Sequence, residues 1–413
     1  MLKLRKPAVW LTGLSLSLVT LAGCGMDNRM LTDRNPKVQA LGIADRTQVQ
    51  IQFRDRDQLE ALSQAGVDLF ENVDMTAKTV DATLTPQTEA TVKRMGVRYT
   101  VSKKLNAMGM PSGYSTVSDV MTDLQNVASQ HAKIAHLETI GKSVEGRPIV
   151  AIRLTSQPEA KLPAILITSG QHARELPPVQ LTSRFIHLLT DGYGSDTSIT
   201  KLVDSRDIWI VPIVNPDGRV SVEGGDSMWR KNRRDNGDGS RGVDTNRNAD
   251  DHWSQGDRDS QSDSFRGSAP FSEPESQALR DLAAKVKFNI AIDFHNYAGM
   301  ILWPPSYTNA VSKDEAAFRE IGNHFAQSTG YKAGTIANTI YKCYGDFATW
   351  AYSNYGTLAY GIELDDGRFN PAISQADKDW KAWKDNLLWA VDKTGHPLNR
   401  NVTADPTKVF PSL

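Results

Sequence analysis

Two cysteines among 413 residues are too few for a disulfide framework. A chain this long needs none, because it can bury a large core without covalent staples. Charge of one sign is missing as well. Lys plus Arg number 47 and Asp plus Glu 48, for a formal net charge of −1. A nucleic-acid partner, which normally requires a basic surplus, is therefore not expected. Long apolar runs are scarce: the one that stands out, at about residues 8–22, is short for a membrane-spanning helix. There is no solenoid repeat and no long low-complexity tract. The composition that remains, 39% hydrophobic and 23% charged, is that of a globular chain of two or three domains.

The N-terminal run has the flanks of a signal peptide. Lys3, Arg5 and Lys6 precede it, and it closes on Leu21-Ala22-Gly23-Cys24. Small residues before a cysteine resemble the lipobox of bacterial lipoproteins. That resemblance implies a signal peptide over 1–23, lipidation of Cys24, a polar tether over 24–37, and a chain held at the membrane of the cell envelope. Gly25, rather than Asp, favours the outer membrane. The competing reading is an ordinary signal peptide with an incidental cysteine. Lipidation of Cys24 would leave Cys343 without a disulfide partner.

Residues 38–105 read as a small unit of their own. Val49, Ile51 and Phe53 alternate with polar residues, as in a half-buried strand. A helical stretch follows and stops at Gly66, two strands come next, Pro86 opens a second helix, and residues 97–101 alternate again. The order β-α-β-β-α-β fits a ferredoxin-like α+β domain. No catalytic constellation appears in it. Pro111-Ser112-Gly113 marks the boundary to a larger unit over 112–395, with a tail at 396–413. Short apolar runs at 165–168, 208–214, 288–294 and 358–364 read as buried strands. Helices are expected near 117–131, 178–190, 272–286, 313–328 and 376–393, the third opened by a capping box of Ser272 and Glu275. Strands alternating with helices predict an α/β fold, a mixed central sheet with helices on both faces. The polar stretch 235–264 reads as a surface loop.

In such folds the site lies at the carboxyl ends of the strands. The first apolar strand runs into His172-Ala173-Arg174-Glu175, and His295 follows the strand at 288–294 directly. His172 and Glu175 are three residues apart, so a bend would turn both to one side. Two histidines and a glutamate suit a catalytic Zn2+ with one position left open for water. His131, His136, His187, His252, His324 and His396 have no such setting and are not expected to be ligands.

With these residues the sequence resembles the carboxypeptidase A-like zinc metallocarboxypeptidases, the funnelins, from about residue 114 to 393. The carrying motifs are Gly141-Lys142-Ser143-Val144-Glu145-Gly146-Arg147, the His172–Glu175 motif, Asn215-Pro216-Asp217-Gly218, Trp229-Arg230-Lys231-Asn232-Arg233, Asp244-Thr245-Asn246-Arg247-Asn248, Phe271-Ser272-Glu273-Pro274-Glu275, His295, Ile340-Tyr341 and Ile362-Glu363-Leu364. The front unit is similar to the propeptide-like domain of some bacterial relatives. The resemblance implies zinc held by His172, Glu175 and His295, with Glu363 as general base for a zinc-activated water and Arg230 stabilising the oxyanion. Asn246, Arg247 and Tyr341 would grip the C-terminal carboxylate of a peptide or protein substrate, Arg174 would touch the substrate upstream, and Asp244 would orient His172. Ala348 matches the pocket floor that often sets specificity. Asp346 matches an acidic position of broad-specificity relatives. If Asp346 reaches the pocket, C-terminal Lys or Arg is accepted; if it is only a turn residue after Gly345, apolar side chains are favoured. Ala249, Thr349, Cys343 and Tyr344 depart from the family pattern and put the pocket's shape in question, not the zinc chemistry.

The function implied is a zinc-dependent exopeptidase acting as a monomer. Two other readings compete with it: a cell-wall peptidase acting on peptidoglycan stem peptides, and an inactive peptide-binding lipoprotein. The presence of His172, Glu175, His295, Arg230 and Glu363 together speaks against the last. The front unit is expected to shield the mouth of the site until it is cut from the catalytic unit between about residues 104 and 114.

Overall fold

The computed structural model describes residues 46–104, 109–365 and 367–398. The signal peptide, the tether, Cys24 and the tail beyond residue 398 lie outside the described residues. No helix among the described residues is long and apolar enough to cross a membrane.

The front unit runs β1 (Thr47–Gln52), α1 (Arg56–Gln64), β2 (Asp68–Leu69), β3 (Thr79–Leu84), α2 (Pro86–Arg94) and β4 (Arg98–Lys104). Its sheet has the order β2-β3-β1-β4, all antiparallel, as a ferredoxin-like unit requires. Val49 and Ile51 are fully buried while Gln50 and Gln52 face out, the period of two seen in the sequence. Asp55 and Thr85 cap the two helices by accepting backbone N–H bonds.

The larger unit begins with α3 (Val117–Gln130), followed by β5 (Ala135–Lys142), β6 (Pro148–Leu154) and β7 (Ala164–Ser169). Next come α4 (Pro177–Gly192), α5 (Thr197–Ser205), β8 (Asp207–Val211), α6 (Pro216–Glu223) and α7 (Pro274–Val286). The remainder is β9 (Ile290–Asn296), β10 (Met300–Trp303), α8 (Glu315–Thr329), β11 (Lys332–Thr335), α9 (Ile336–Thr339), α10 (Phe347–Tyr355), β12 (Leu358–Leu364) and α11 (Ser374–Thr394). Eight strands form one mixed sheet in the order β11-β10-β12-β9-β7-β8-β6-β5. The centre, β12-β9-β7-β8, is parallel, and the pairs β10–β12, β6–β8 and β5–β6 are antiparallel.

Alternation sorts the central strands onto two cores. Ile165, Ile167, Ile290, Ile292 and Phe294 pack with Phe185 of α4, Phe318 of α8 and Trp383 of α11. Leu166 and Ala291, one residue out of phase, pack on the other face with Leu279 of α7 and Trp350 of α10. Both faces are thus covered, which is why these strands read as continuous apolar runs.

Two local expectations are corrected. Helix α7 starts at Pro274 with Glu273 at its N-cap and no side-chain cap bond. Ser272 instead donates to Glu273 Oε1 at 2.9 Å, and Glu275 accepts from Val144 N and Asn232 Nδ2 at 3.0 and 2.9 Å. Both capping-box side chains have stronger calls on them than the helix end. The stretch 235–264 is irregular, but not all surface: Ser262 and Asp263 are buried, and they bond the front unit through Gly66 O and Arg46.

Candidate active site

Strands β7 and β9 are parallel neighbours, so the chain leaving β7 lies beside the end of β9. It turns at Gly170, whose φ of +64° is a left-handed conformation. A Cβ there would sit 3.1 Å from Pro212 O. The turn delivers His172 and Glu175, with Glu175 N donating to His172 O at 3.3 Å. His295 is the penultimate residue of β9, and Glu363 lies directly opposite it on β12.

These side chains converge. His172 Nδ1 is 2.7 Å from Glu175 Oε1 and 3.1 Å from His295 Nδ1, and His295 Nδ1 is 2.9 Å from Glu175 Oε2. All three residues are buried, and one ligand atom from each lies within 4.8 Å of the others. Among the described residues no other group of His, Cys, Asp and Glu meets that test. Two imidazole nitrogens and a carboxylate aimed at one point fit a zinc ion with an open position.

The outer ring nitrogens are also held. His172 Nε2 lies 3.3 Å from Asp244 Oδ1, the contact expected of Asp244. His295 Nε2 lies 2.8 Å from Asp293 Oδ2, and Asp293 Oδ1 accepts from Thr168 Oγ1 at 2.7 Å. Carboxylates so placed fix ring orientation and leave the inner nitrogens free to ligate. Burial disfavours charge on all of these groups, yet the pairings overcome it. His172 and His295 hold Glu175 far below the usual carboxylate range. Arg230 and His172 do the same for Asp244. Asp293 and Glu175 raise His295 well above an ordinary imidazole. A field that favours an imidazolium also favours a divalent cation.

Arg230 forks onto Asp244 Oδ2 through Nε and Nη2 at 3.0 and 2.9 Å, and its Nη1 lies 3.2 Å from His172 Nδ1. Asp244 also opens a 3-10 turn, Thr245–Arg247, accepting from Asn246 N at 2.9 Å. Asn246 Oδ1 accepts from Phe347 N at 3.1 Å, and Arg247 Nη1 donates to Asn246 O at 2.8 Å. His172, Asn246, Arg247, His295 and Glu363 line one cavity of about 50 Å³, room for a few waters. Asp346, Ala348 and Cys343 line the same cavity. Glu363 Oε2 is buried without a hydrogen-bond partner. Burial, and then the charge of Glu71, raise Glu363 well above the usual carboxylate range.

Residues 120–386 match the family model described as zinc carboxypeptidase. The chain belongs to the zinc carboxypeptidase family. It is 30% identical over 263 residues to carboxypeptidase A2 of Mus musculus, covering 61% of this chain and 63% of that protein. It is 29% identical over 298 residues to a zinc carboxypeptidase of Saccharothrix mutabilis subsp. capreolus, covering 67% and 68%. The matched stretch thus spans just under two thirds of the mammalian relative. The fold is that of the solved carboxypeptidase A from Helicoverpa armigera, with a TM-score of 0.72 over 86% of this chain and 97% of the other, at 24% identity.

Two residues to which the resemblance assigns substrate contacts are engaged by the front unit. Arg174 is fully buried and makes a bidentate pair with Asp68, Nη1 to Oδ2 at 2.7 Å and Nη2 to Oδ1 at 3.0 Å. Its guanidinium also lies over the rings of Phe369 and Phe70, at 4.0 and 5.2 Å from their centroids. Tyr341 donates its hydroxyl to Leu69 O at 3.0 Å. Glu71 lines the same cavity. Asp68, Glu71 and Asp293 were not read as site residues from the sequence. Asp293 could have been: two positions before His295 on a strand puts it on the same face. No local pattern marks Asp68 or Glu71, because the Arg174 that Asp68 meets is 106 residues away and the other residues of the cavity that Glu71 lines come from 172 onward.

Proposed function

We propose that this chain is a zinc-dependent carboxypeptidase that removes single residues from peptide C-termini. The observation that carries the reading is the convergence of His172, Glu175 and His295, two of which line one cavity with Glu363 and Arg247. His172 Nδ1, His295 Nδ1 and the Glu175 carboxylate would hold the zinc, which when bound supplies Lewis acidity to water and to the scissile carbonyl. Glu363 takes the proton of the attacking water and returns it to the departing amine. Its burial suits that duty, since a carboxylate pushed upward holds a proton better near neutral pH. Arg230, anchored on Asp244, places a fixed positive charge where the oxyanion develops. Arg247, positioned through Asn246, offers a planar fork to the terminal carboxylate, and Tyr341 closes on it once released from Leu69.

The test is a mixed peptide library incubated with the protein and read for C-terminal trimming by mass. Trimming should stop on zinc chelation, and Glu363→Gln should lower the rate about 10³-fold. Trimming indifferent to both would refute the mechanism.

The same geometry supports a latent full-length chain. Asp68 occupies Arg174, Leu69 O occupies the Tyr341 hydroxyl, and Glu71 lines the cavity. The front unit is then an inhibitory propeptide, released by a cut between about residues 104 and 114. Limited trypsin treatment of the full chain should raise its rate on a chromogenic peptide; equal rates before and after would rule the inhibition out. Export and anchoring through a lipidated Cys24 complete the proposal, supported by the sequence around that residue. Labelling with a radioactive fatty acid that persists in Cys24→Ser would refute the anchor.

A further inference from the structure

The residues just ahead of α3 lie against the back of the zinc loop. Tyr114 is buried, and with Met110 it joins a small apolar cluster of Ala173, Leu176, Val222, Trp229 and Ile373. Three of those neighbours stand next to functional residues along the chain. Ala173 separates His172 from Arg174, Leu176 follows Glu175, and Trp229 precedes Arg230. Ala173 N also donates to Arg230 O at 3.0 Å, which ties the zinc loop to the oxyanion arginine. One apolar pad thus backs two zinc ligands and the arginine beside them, and Tyr114 is the buried side chain that the joining segment adds to it.

The anchors of this segment lie in the larger unit. Ser115 Oγ accepts from Gln180 Nε2 of α4 at 2.9 Å, and Ser115 O accepts from Arg219 Nη2 of α6 at 3.0 Å. Val117 N donates to Glu223 Oε1 at 2.7 Å. Arg219 is 2% exposed; its Nε and Nη1 have no hydrogen-bond partner, and Glu223 Oε1 stands 3.9 Å from Nε. A buried cation so sparsely met is costly to strip further, so Ser115 O is held firmly. Gly113, at φ +93°, turns the chain against Ile373, where a Cβ would come within 3.1 Å of that side chain. The front unit supplies none of these partners, so its departure leaves them in place.

We infer that residues 110–116 stay with the larger unit as a strap, and that Tyr114 is a positioning residue which sets the zinc loop and Arg230 through Ala173. The inference rests on the carboxypeptidase reading above and narrows it. A cut that activates the chain falls ahead of Met110, whereas a cut behind Tyr114 removes the pad. Tyr114 is not among the residues that line the cavity, so its effect is geometric. Ala173 offers a single methyl group. Without the ring behind it a void remains, and the loop that carries His172 and Glu175 relaxes into it. The ligand atoms then no longer meet at one point with His295.

The test uses the full chain with Tyr114→Ala, Tyr114→Phe and Leu124→Ala. Leu124, on α3, is buried in a different cluster, so its loss reports weakened packing alone. Zinc affinity is read with a competing chelator and no substrate; kcat and KM are read on a chromogenic peptide after trypsin treatment. Tyr114→Ala should raise the zinc dissociation constant about 10-fold. Its kcat should fall by about 10–100-fold with KM little changed, the loss that misplaced reacting groups bring. Tyr114→Phe keeps the ring and should restore both, and Leu124→Ala should bind zinc as the wild type does. Should Tyr114→Ala fail to fold, Tyr114→Leu takes its place. Unchanged zinc affinity in the Tyr114 variant, or an equal loss in Leu124→Ala, would overturn the positioning role. Cutting with subtilisin instead of trypsin checks the strap: active fragments, sized by mass, should begin ahead of Met110. A fragment that starts beyond Tyr114 with full activity and zinc affinity would refute it. If the wild type binds zinc yet releases nothing from any peptide, the carboxypeptidase reading falls, while the zinc affinities still decide the role of Tyr114.

Discussion

The two sheets of this molecule are covered in different ways. The eight-stranded sheet buries both faces under helices of its own unit, with α4, α8 and α11 on one side and α7 and α10 on the other. The four-stranded front sheet completes its core with residues of the catalytic unit. Val49, Ile51, Leu59 and Val80 belong to one cluster with Met300, Leu302, Ile336, Ile340 and Tyr341. Several of those borrowed residues line the catalytic cavity. The front unit therefore completes its core on residues that also line the cavity. Small domains bury a low fraction of their surface and are marginal alone, so this shared core supplies what the front unit lacks by itself.

The sharpest way to break this arrangement is to remove Asp68. Burial opposes its charge, but Arg174 holds its carboxyl below the usual range, so the pair is ionised. Asp68→Ala leaves the Arg174 guanidinium buried and uncompensated, which should weaken the hold of the front unit by about 3–5 kcal/mol. The full-length variant should then hydrolyse a chromogenic peptide without protease treatment, and a rate no higher than wild type would contradict the contact's role.

A second test acts on the catalytic unit alone. Burial pushes Glu275 up to about 7, despite hydrogen bonds from Asn232 and Val144. The native state thus keeps a proton that the unfolded chain has lost. That contribution is complete below about 4.5 and disappears as pH rises towards 7, on the order of 3 kcal/mol in all. Urea unfolding at a series of pH values should show catalytic-unit stability falling across that window. Glu275→Gln should flatten the slope; an unchanged slope would place the effect elsewhere.

The smallest effect concerns the metal. Asp293→Ala frees the outer nitrogen of His295 and should raise the zinc dissociation constant about 10–100-fold, read with a competing chelator and no substrate. The front unit holds no part of the ligand set, so the change should be the same before and after trypsin treatment. A difference between the two would show that the units are coupled through the metal site.

Much of this was readable in the chain. The strands ending at Ser169 and Asn296 announced themselves as apolar runs, and the helices 117–131, 178–190 and 376–393 fall within two or three residues of α3, α4 and α11. The antiparallel members β5, β6 and β10 were not read as strands. β5 is half-buried at the sheet edge, and β10 is only four residues long. The capping box failed because Ser272 and Glu275 have partners that no local pattern shows.

The sequence by itself determined which residues could bind zinc, because His172 and Glu175 are neighbours along the chain and each ligand strand carries its own signature. Tertiary structure alone decided that Asp346 keeps a bare buried oxygen, that Asp293 meets Thr168 as well as His295, and that Asp68 and Glu71 stand at the site at all. Those outcomes depend on which surfaces dock. Docking is settled by buried apolar area and by charges brought together from distant segments, and neither quantity is written in any local stretch of residues.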